Sequence, residues 1–72
     1  MRTLASLETN GMAVIHALQG HPELRSRLQE IGFTPGSQVR LVAKAAFGGP
    51  LAFQLRGSMV ALRRSDAACI LV

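Results

Sequence analysis

Glycine and proline interrupt this sequence so often that only short helices and strands can form between them. The chain has seven glycines and three prolines in 72 residues, and both residue types break regular secondary structure. No internal repeat, low-complexity tract or linker divides the sequence. A chain of this length makes one domain, so we expect a single, closely packed domain over residues 1–72.

One helix is predicted over about residues 22–31. Proline suits the first helical turn, and the carboxylate of Glu23 lies near the positive end of the helix dipole. Gly32 follows the last periodic position, where glycine commonly ends a helix. The apolar positions of this segment recur at helical spacing on one face, which comprises Leu24, Leu28 and Ile31.

The other apolar segments predict strands. Met12–Leu18 is apolar enough for a buried first strand. After Pro35-Gly36 the hydrophobic period changes from about 3.6 to about 2 residues. The strand that follows is therefore expected to bury Val39, Leu41 and Ala43. Cys69–Val72 closes the chain as a last short strand.

A hairpin is predicted around Arg56-Gly57, which fits a two-residue turn. Residues directly opposed in an antiparallel pair point to the same face. The register therefore groups the apolar side chains on one side and pairs Leu55 with Ser58, Phe53 with Val60, and Leu51 with Leu62. The length of the loop around Phe47, before this hairpin, is left open. Loops of five and of seven residues would both place the apolar side chains of the two flanking strands on the same face of the sheet.

The predicted order is strand, helix, three strands in a meander, a short turn and a final strand. Five short strands joined by glycine-rich turns are too few for a sandwich and suit a small closed barrel. We therefore expect a mainly β fold, a five-stranded barrel with the helix inserted between its first and second strands.

Few side chains are available for catalysis. The sequence has four carboxylates and two histidines, and none is placed to form an acid–base pair. Glycine loops with phosphate-binding spacing are absent from the sequence, so we expect a binding module and no enzyme.

The first residues do not resemble a signal peptide, and no apolar run approaches the ~20 residues of a membrane span. A cytoplasmic protein without membrane insertion is expected.

His16, His21 and Cys69 are the candidates for metal ligation. Zinc and iron sites need three or four ligands at recognisable spacing, which these residues do not have. A surface or packed role is expected for both histidines. Cys69 begins an apolar strand, where cysteine usually acts as a small hydrophobe. We therefore predict no metal site and no cofactor.

Short motifs along nearly the whole chain share their order and spacing with a known family. They are Gly11 and Ile15, the segment with Leu28, Gly32, Pro35 and Gly36, then Pro50, Arg56-Gly57, Ala61-Leu62-Arg63, Asp66-Ala67 and Ile70-Leu71-Val72. This pattern resembles the FeoA family, small SH3-like cytoplasmic proteins of bacterial ferrous iron transport. The resemblance implies an SH3-like barrel with an inserted helix.

The resemblance also implies a function, that of an accessory and regulatory protein of ferrous iron uptake. The partner it implies is FeoB, a membrane iron transporter with a cytoplasmic GTPase domain. The same domain occurs at the C-terminus of metal-dependent repressors. Because Met1 stands directly before the domain here, we expect a free-standing protein.

Four residues are candidates for contact with a protein partner. Arg25 and Gln29 lie on the predicted exposed face of the helix, and Phe47 is an apolar residue on a glycine-rich loop. Met59 is predicted to lie exposed beside Gln54. The remaining basic residues are expected to be solvated surface.

Two other functions remain open. The net charge of +4 allows an RNA-binding SH3-like module of the KOW or ribosomal type, whose binding would depend steeply on salt. Against it, the basic residues are spread along the chain and all aromatic residues are phenylalanine. A weaker alternative is a cytoplasmic iron carrier that uses His16 or His21.

Overall fold

The computed structural model describes residues 2–72, and within them the chain forms a mainly β fold. The elements in chain order are β1 (Met12–Val14), β2 (Ala17–Leu18), α1 (Pro22–Ile31), β3 (Gln38–Lys44), β4 (Leu51–Leu55), β5 (Ser58–Leu62), α2 (Arg64–Ala67) and β6 (Ile70–Leu71). An antiparallel sheet of four strands has the spatial order β1-β3-β4-β5. The strands β2 and β6 form a separate antiparallel pair.

The predicted first strand is divided where the chain passes from one sheet to the other. β1 pairs with β3, whereas β2 pairs with β6. Between them, the backbone N–H of Ile15 donates to Ser37 and that of His16 donates to Leu71, at 2.9 and 2.7 Å. The mainly β fold with an inserted helix is confirmed. The hydrogen bonds of residues 2–72 give six strands in two open sheets, not the closed five-stranded barrel expected from the sequence.

The β4–β5 hairpin has the predicted register. Leu55 pairs with Ser58 and Gln54 with Met59, and the pairing continues without a shift to Leu51 and Leu62. The two turn residues between the strands both have positive φ, 53° at Arg56 and 82° at Gly57. Two consecutive positive φ values are typical of the type I′ turn, whose twist matches that of the flanking strands.

The loop between β3 and β4 combines an even length with a bulge. Leu41 pairs with Phe53, but after a shift of register Lys44 pairs with Leu51, so six residues form the loop. A six-residue loop alone would place the apolar side chains of β4 on the opposite face of the sheet from those of β3. The extra residue of the bulge returns them to the same face. The bulge also turns Ala43 to solvent, so the prediction that Ala43 is buried is wrong.

Helix α1 begins and ends at the predicted residues. At its start, Nδ1 of His21 accepts a hydrogen bond from the backbone N–H of Glu23 at 3.3 Å. At its end, Gly32 has a φ of 125°, and the backbone N–H of Phe33 donates to the carbonyl of Leu28 at 3.0 Å. The left-handed region at this position is nearly restricted to glycine, which explains why the helix ends here.

The inner face of α1 is narrower than predicted. Leu28 is buried and Leu24 packs against the core, but Ile31 in the last turn is 43% exposed. After the reversal at Gly32, Phe33 enters the core and is fully buried. With ten residues, α1 is the longest helix of the described part of the chain and is too short for a bilayer crossing.

The core lies between the two sheets and the helix. The rings of Phe33 and Phe53 meet edge to face there, with centroids 6.3 Å apart and an interplanar angle of 84°. The buried apolar side chains come from nearly every element and are Leu4, Leu7, Ile15, Leu28, Phe33, Val39, Leu41, Leu51, Phe53, Leu55, Leu62, Ala67 and Ile70.

Replacing the glycine that ends α1 should destabilise the protein by two effects together. A Cβ at residue 32 would lie 3.2 Å from Cδ2 of Leu55, in addition to the unfavourable φ. We expect Gly32→Ala to lower the free energy of unfolding by about 2–3 kcal/mol, measured by urea denaturation. Gly36→Ala is the matched control, because φ there is 90° but no atom lies within 4 Å. Equal losses for the two variants would contradict the contact with Leu55.

Candidate functional site

A groove of about 400 Å³ lies beside the exposed face of α1. Arg25 and Gln29 stand one helical turn apart, so both side chains reach the groove from the same wall. Both are exposed. The full lining comes from β2, from α1 and from the loop after the helix, and comprises Ala17, Leu18, Pro22, Arg25, Ser26, Gln29 and Pro35.

The charges of α1 are divided between its two sides. The groove side carries the cation of Arg25 and no carboxylate. Further round the helix, Glu23, Arg27 and Glu30 line a second, more open depression of about 500 Å³, which adjoins the groove at Pro22 and Ser26. The guanidinium of Arg27 also approaches Asp66 at 4.0 Å. The groove therefore presents one unneutralised positive charge beside an amide, a combination that suits a carboxylate or carbonyl oxygen.

Phe47 stands at the tip of the β3–β4 loop with its ring fully in solvent. Its exposed fraction is 106%, the largest of any apolar residue whose side chain is exposed in residues 2–72. Its φ is 57°, in the left-handed region, which costs a residue with a Cβ roughly 1–2 kcal/mol. The ring therefore buries no apolar surface in the folded protein, although the backbone at this residue is strained.

Arg64 holds that loop in place from α2. Its Nε donates to the carbonyl of Gly49 at 3.1 Å, and its terminal nitrogen donates to the carbonyl of Ala45 at 3.4 Å. The two acceptors lie on either side of Phe47. Arg64 was expected to be solvated surface, and this expectation is wrong, because its guanidinium is used to fix the ends of the loop.

Arg56 also has a structural role that the sequence did not predict. From the hairpin turn, its guanidinium donates to the hydroxyl oxygens of Ser37 at 2.9 Å and Thr34 at 3.3 Å. These two hydroxyl groups are themselves hydrogen-bonded at 2.8 Å. The network ties the β4–β5 turn to the chain that leaves α1.

Met59 lies on the outer face of the four-stranded sheet and is 58% exposed. Pairing across the sheet aligns Met12, Arg40, Gln54 and Met59 in one row from β1 to β5. Within this row the guanidinium of Arg40 lies 3.4 Å from the sulfur of Met12. Met59 therefore belongs to a solvent-facing row with two apolar ends and a polar centre.

The structure brings together only two of the four predicted contact residues. Arg25 and Gln29 share the groove beside α1. Phe47 belongs to the loop that precedes β4, whereas Met59 follows the turn at the other end of β4. The loop residue and the strand residue therefore lie toward opposite ends of the hairpin, so the four residues do not form a single contiguous site.

The metal-ligand candidates are dispersed. His16 is exposed, and the ring of His21 is occupied with the capping bond to Glu23. Cys69 is half-buried, and its sulfur lies 3.6 Å from the carbonyl oxygen of Ser65. Within residues 2–72, no group of three histidine, cysteine or acidic residues is close enough to hold a metal ion.

Sequence reasoning missed the groove and both structural arginines. The groove exists because α1 packs beside β2 and Pro35, and nothing local in the sequence indicates that packing. Arg56 is nevertheless unusual in the sequence, since type I′ turns favour asparagine before glycine. An arginine at that position indicates a role beyond the turn itself.

Comparison with known proteins gives one family and several similar structures. The family model described as the FeoA domain matches residues 2–72. A similar protein in Porphyromonas gingivalis is an Fe(2+) transport protein A/Fe(2+) transporter FeoB fusion protein, 36% identical over 67 residues. The match covers 93% of this chain but only 8% of the fusion protein.

Two of the similar solved structures are FeoA proteins. Zinc-complexed FeoA of Stenotrophomonas maltophilia, described as a procaryotic SH3 domain protein, is 37% identical with a TM-score of 0.88, covering 100% of this chain and 89% of that one. FeoA of Chlorobium tepidum is 25% identical with a TM-score of 0.88, covering 96% of this chain and 66% of that one. The mainly β fold is thus of the small SH3-like kind.

The strain at the loop tip predicts that a change there will increase stability. Asparagine tolerates positive φ better than phenylalanine, so Phe47→Asn should raise the free energy of unfolding by about 0.5–1 kcal/mol in urea denaturation. Phe47→Ala keeps the strain and removes only the ring, and should leave stability within about 0.5 kcal/mol. A clear loss of stability in Phe47→Asn would mean that the ring makes stabilising contacts.

Proposed function

The chain belongs to the FeoA domain family, and on that basis we propose that it is an accessory protein of ferrous iron uptake that binds the cytoplasmic part of a FeoB-type transporter. Its mode of action is regulation by contact, and it catalyses no reaction itself. The proposal places the protein in the cytoplasm, where the GTPase domain of such a transporter lies.

The observation that carries the proposal is the fusion protein of P. gingivalis, in which a segment 36% identical to this chain is joined to a FeoB transporter. A covalent link holds two domains at an effective concentration that reaches roughly millimolar for short linkers. Joining is advantageous when the two domains act on each other. The joining of the two in one chain therefore supports a direct contact between a FeoA domain and a FeoB-type transporter.

The groove beside α1 is the surface that we propose for this contact. It offers the Arg25 cation and the Gln29 amide on a rigid helix wall, with apolar contributions from Leu18 and Pro35. A polar rim around a partly apolar groove is the usual composition of a reversible protein interface. Phe47 on the β3–β4 loop and Met59 on the outer face of the four-stranded sheet are proposed as further, separate contacts.

Charge reversal at the groove tests this proposal. We expect Arg25→Glu to weaken binding to the purified cytoplasmic region of the transporter about tenfold in an isothermal titration. The physical reason is that an acidic or carbonyl oxygen of the partner would lose its cation and meet a carboxylate. Unchanged affinity would show that the groove is not the binding surface.

Arg27→Glu is the matched control, because it makes the same change of charge on the opposite side of the same helix. Its ion pair with Asp66 is long, at 4.0 Å, and the arginine side chain is 66% exposed, so its loss should cost little stability. Affinity within about twofold of the parent chain is expected. Equal weakening by both variants would indicate a long-range charge effect without a defined site.

Structured RNA is the second ligand to be titrated, because the net charge of +4 attracts phosphates whether or not a site exists. We expect weak binding that disappears at moderate salt. RNA affinity that exceeds transporter affinity, with a steep dependence on salt, would replace the proposal by the RNA-binding function.

A further inference from the structure

The strand β5 is an edge of the four-stranded sheet, paired with β4 on one side only. In a hairpin closed by a two-residue turn, the pair next to the turn exchanges both backbone hydrogen bonds, and every second pair does so again. These pairs are Leu55 with Ser58, Phe53 with Val60, and Leu51 with Leu62. The backbone N–H and C=O groups of Met59 and Ala61 therefore point away from β4.

The hydrogen bonds on the far side of the sheet support this alternation. The N–H of Leu41 in β3 donates to Gly11, on the β1 side, at 2.9 Å. Arg40, the next residue, must then bond toward β4 and its partner Gln54. Gln54 thus uses its backbone groups on β3, which leaves Phe53 and Leu55 for β5. Among residues 2–72, no backbone hydrogen bond joins Met59 or Ala61 to any segment outside the strands.

This edge lacks the features that usually protect a free strand. Proteins cover such edges, or place charged residues, proline or bulges on them, because unpaired backbone groups attract another strand. β5 has the sequence Ser-Met-Val-Ala-Leu, without a charge or a proline, and its pairing with β4 shows no bulge. Met59 and Ala61 are also exposed. The opposite edge strand, β1, has only three residues.

The charges around the sheet specify the kind of strand that would fit. The four strands of this sheet contain Arg40 and Lys44 and no carboxylate. Exposed Arg63 directly follows β5. The chain as a whole carries +4, so a second copy would bring like charge to this edge. An acidic segment would bring the complementary charge.

We propose that the free edge of β5 binds an extended acidic polypeptide segment as an added antiparallel strand. The main-chain groups of Met59 and Ala61 provide the hydrogen bonds, and Arg63, which directly follows β5, favours a flanking carboxylate. This is the strand-addition mode of peptide recognition, in which backbone pairing provides affinity and side chains provide selectivity. The inference goes beyond the proposed transporter contacts, which include the side chain of Met59 but no main-chain pairing, and does not depend on them.

The geometry is tested first, by amide hydrogen exchange of the free protein followed by NMR. The amides of Val60 and Leu62 should be protected by β4, whereas those of Met59 and Ala61 should exchange rapidly. Protection of Met59 and Ala61 that is independent of protein concentration would show that the edge is already covered. Protection that grows with concentration would show that a second copy occupies it. Either result would overturn the proposal.

Binding is tested next with a synthetic octapeptide, acetylated and amidated, in which Val-Thr-Val-Thr is flanked on each side by two glutamates. Titration at low ionic strength should shift the amide signals of Met59 and Ala61 and slow their exchange. The same peptide with lysines in place of the glutamates should bind about tenfold more weakly. Equal affinity for both peptides, or shifts confined to α1, would contradict the proposal.

The dependence on backbone hydrogen bonds is tested from both sides. A peptide that is N-methylated at all four residues of its Val-Thr-Val-Thr core cannot donate core hydrogen bonds from either side and should bind about tenfold more weakly. Met59→Pro removes the outward donor without removing a bond to β4 and should have a similar effect, whereas Met59→Leu should bind within about twofold. If Met59→Pro does not fold, the N-methylated peptide still decides. Undiminished binding of that peptide would refute strand addition.

Discussion

The reversal of the chain at Gly32 is the constraint on which the rest of the structure depends. It ends α1 and turns Phe33 into the core, where its ring meets Phe53 of β4 edge to face. A chain this small buries only a limited fraction of its surface, so one aromatic pair worth about 0.5–1.5 kcal/mol beyond its burial has a large share of the packing. The pair joins the helical arm to the centre of the sheet. Together with buried Leu28 and with Leu24, it holds α1, which forms one wall of the groove, against the core.

The hairpin turn and the end of the helix are coupled by a second link, the guanidinium of Arg56. Its bonds to Ser37 and Thr34 join the two segments that both enter the core, one through Phe33 and the other through Leu55. The buried hydroxyl of Ser37 needs a partner, and one arginine provides partners for it and for the half-buried hydroxyl of Thr34. The strain of a positive φ at an arginine is offset by these bonds. The same residue thus closes the turn and holds the helix end.

Local patterns predicted the local structure of this chain, and long-range packing produced what they missed. The bounds of α1 followed from Pro22 and Gly32, and the β4–β5 register followed from alternation around Arg56-Gly57. The division of the first strand could not be read from its sequence, because it depends on β3 and β6 arriving on different sides. The bulge near Ala43 and the groove have the same origin. The contact of Arg56 with Ser37 and Thr34 was likewise not predicted, because the sequence shows only a residue of a hairpin turn there.

The candidate contact residues differ in their effect on the stability of the folded protein. A residue that lowers stability is not there for folding. Arg25 and Gln29 are exposed helix residues with ordinary backbone, so the fold would tolerate them whether or not they bind anything. Phe47 is different, because its positive φ opposes folding and its exposed ring adds no buried surface in return, while Arg64 secures the carbonyls on either side of it. A glycine or asparagine would satisfy the loop at lower cost. Strain at an exposed apolar loop tip supports the partner contact proposed above for Phe47. A partner contact at the groove alone would leave this strained residue with an exposed ring unexplained.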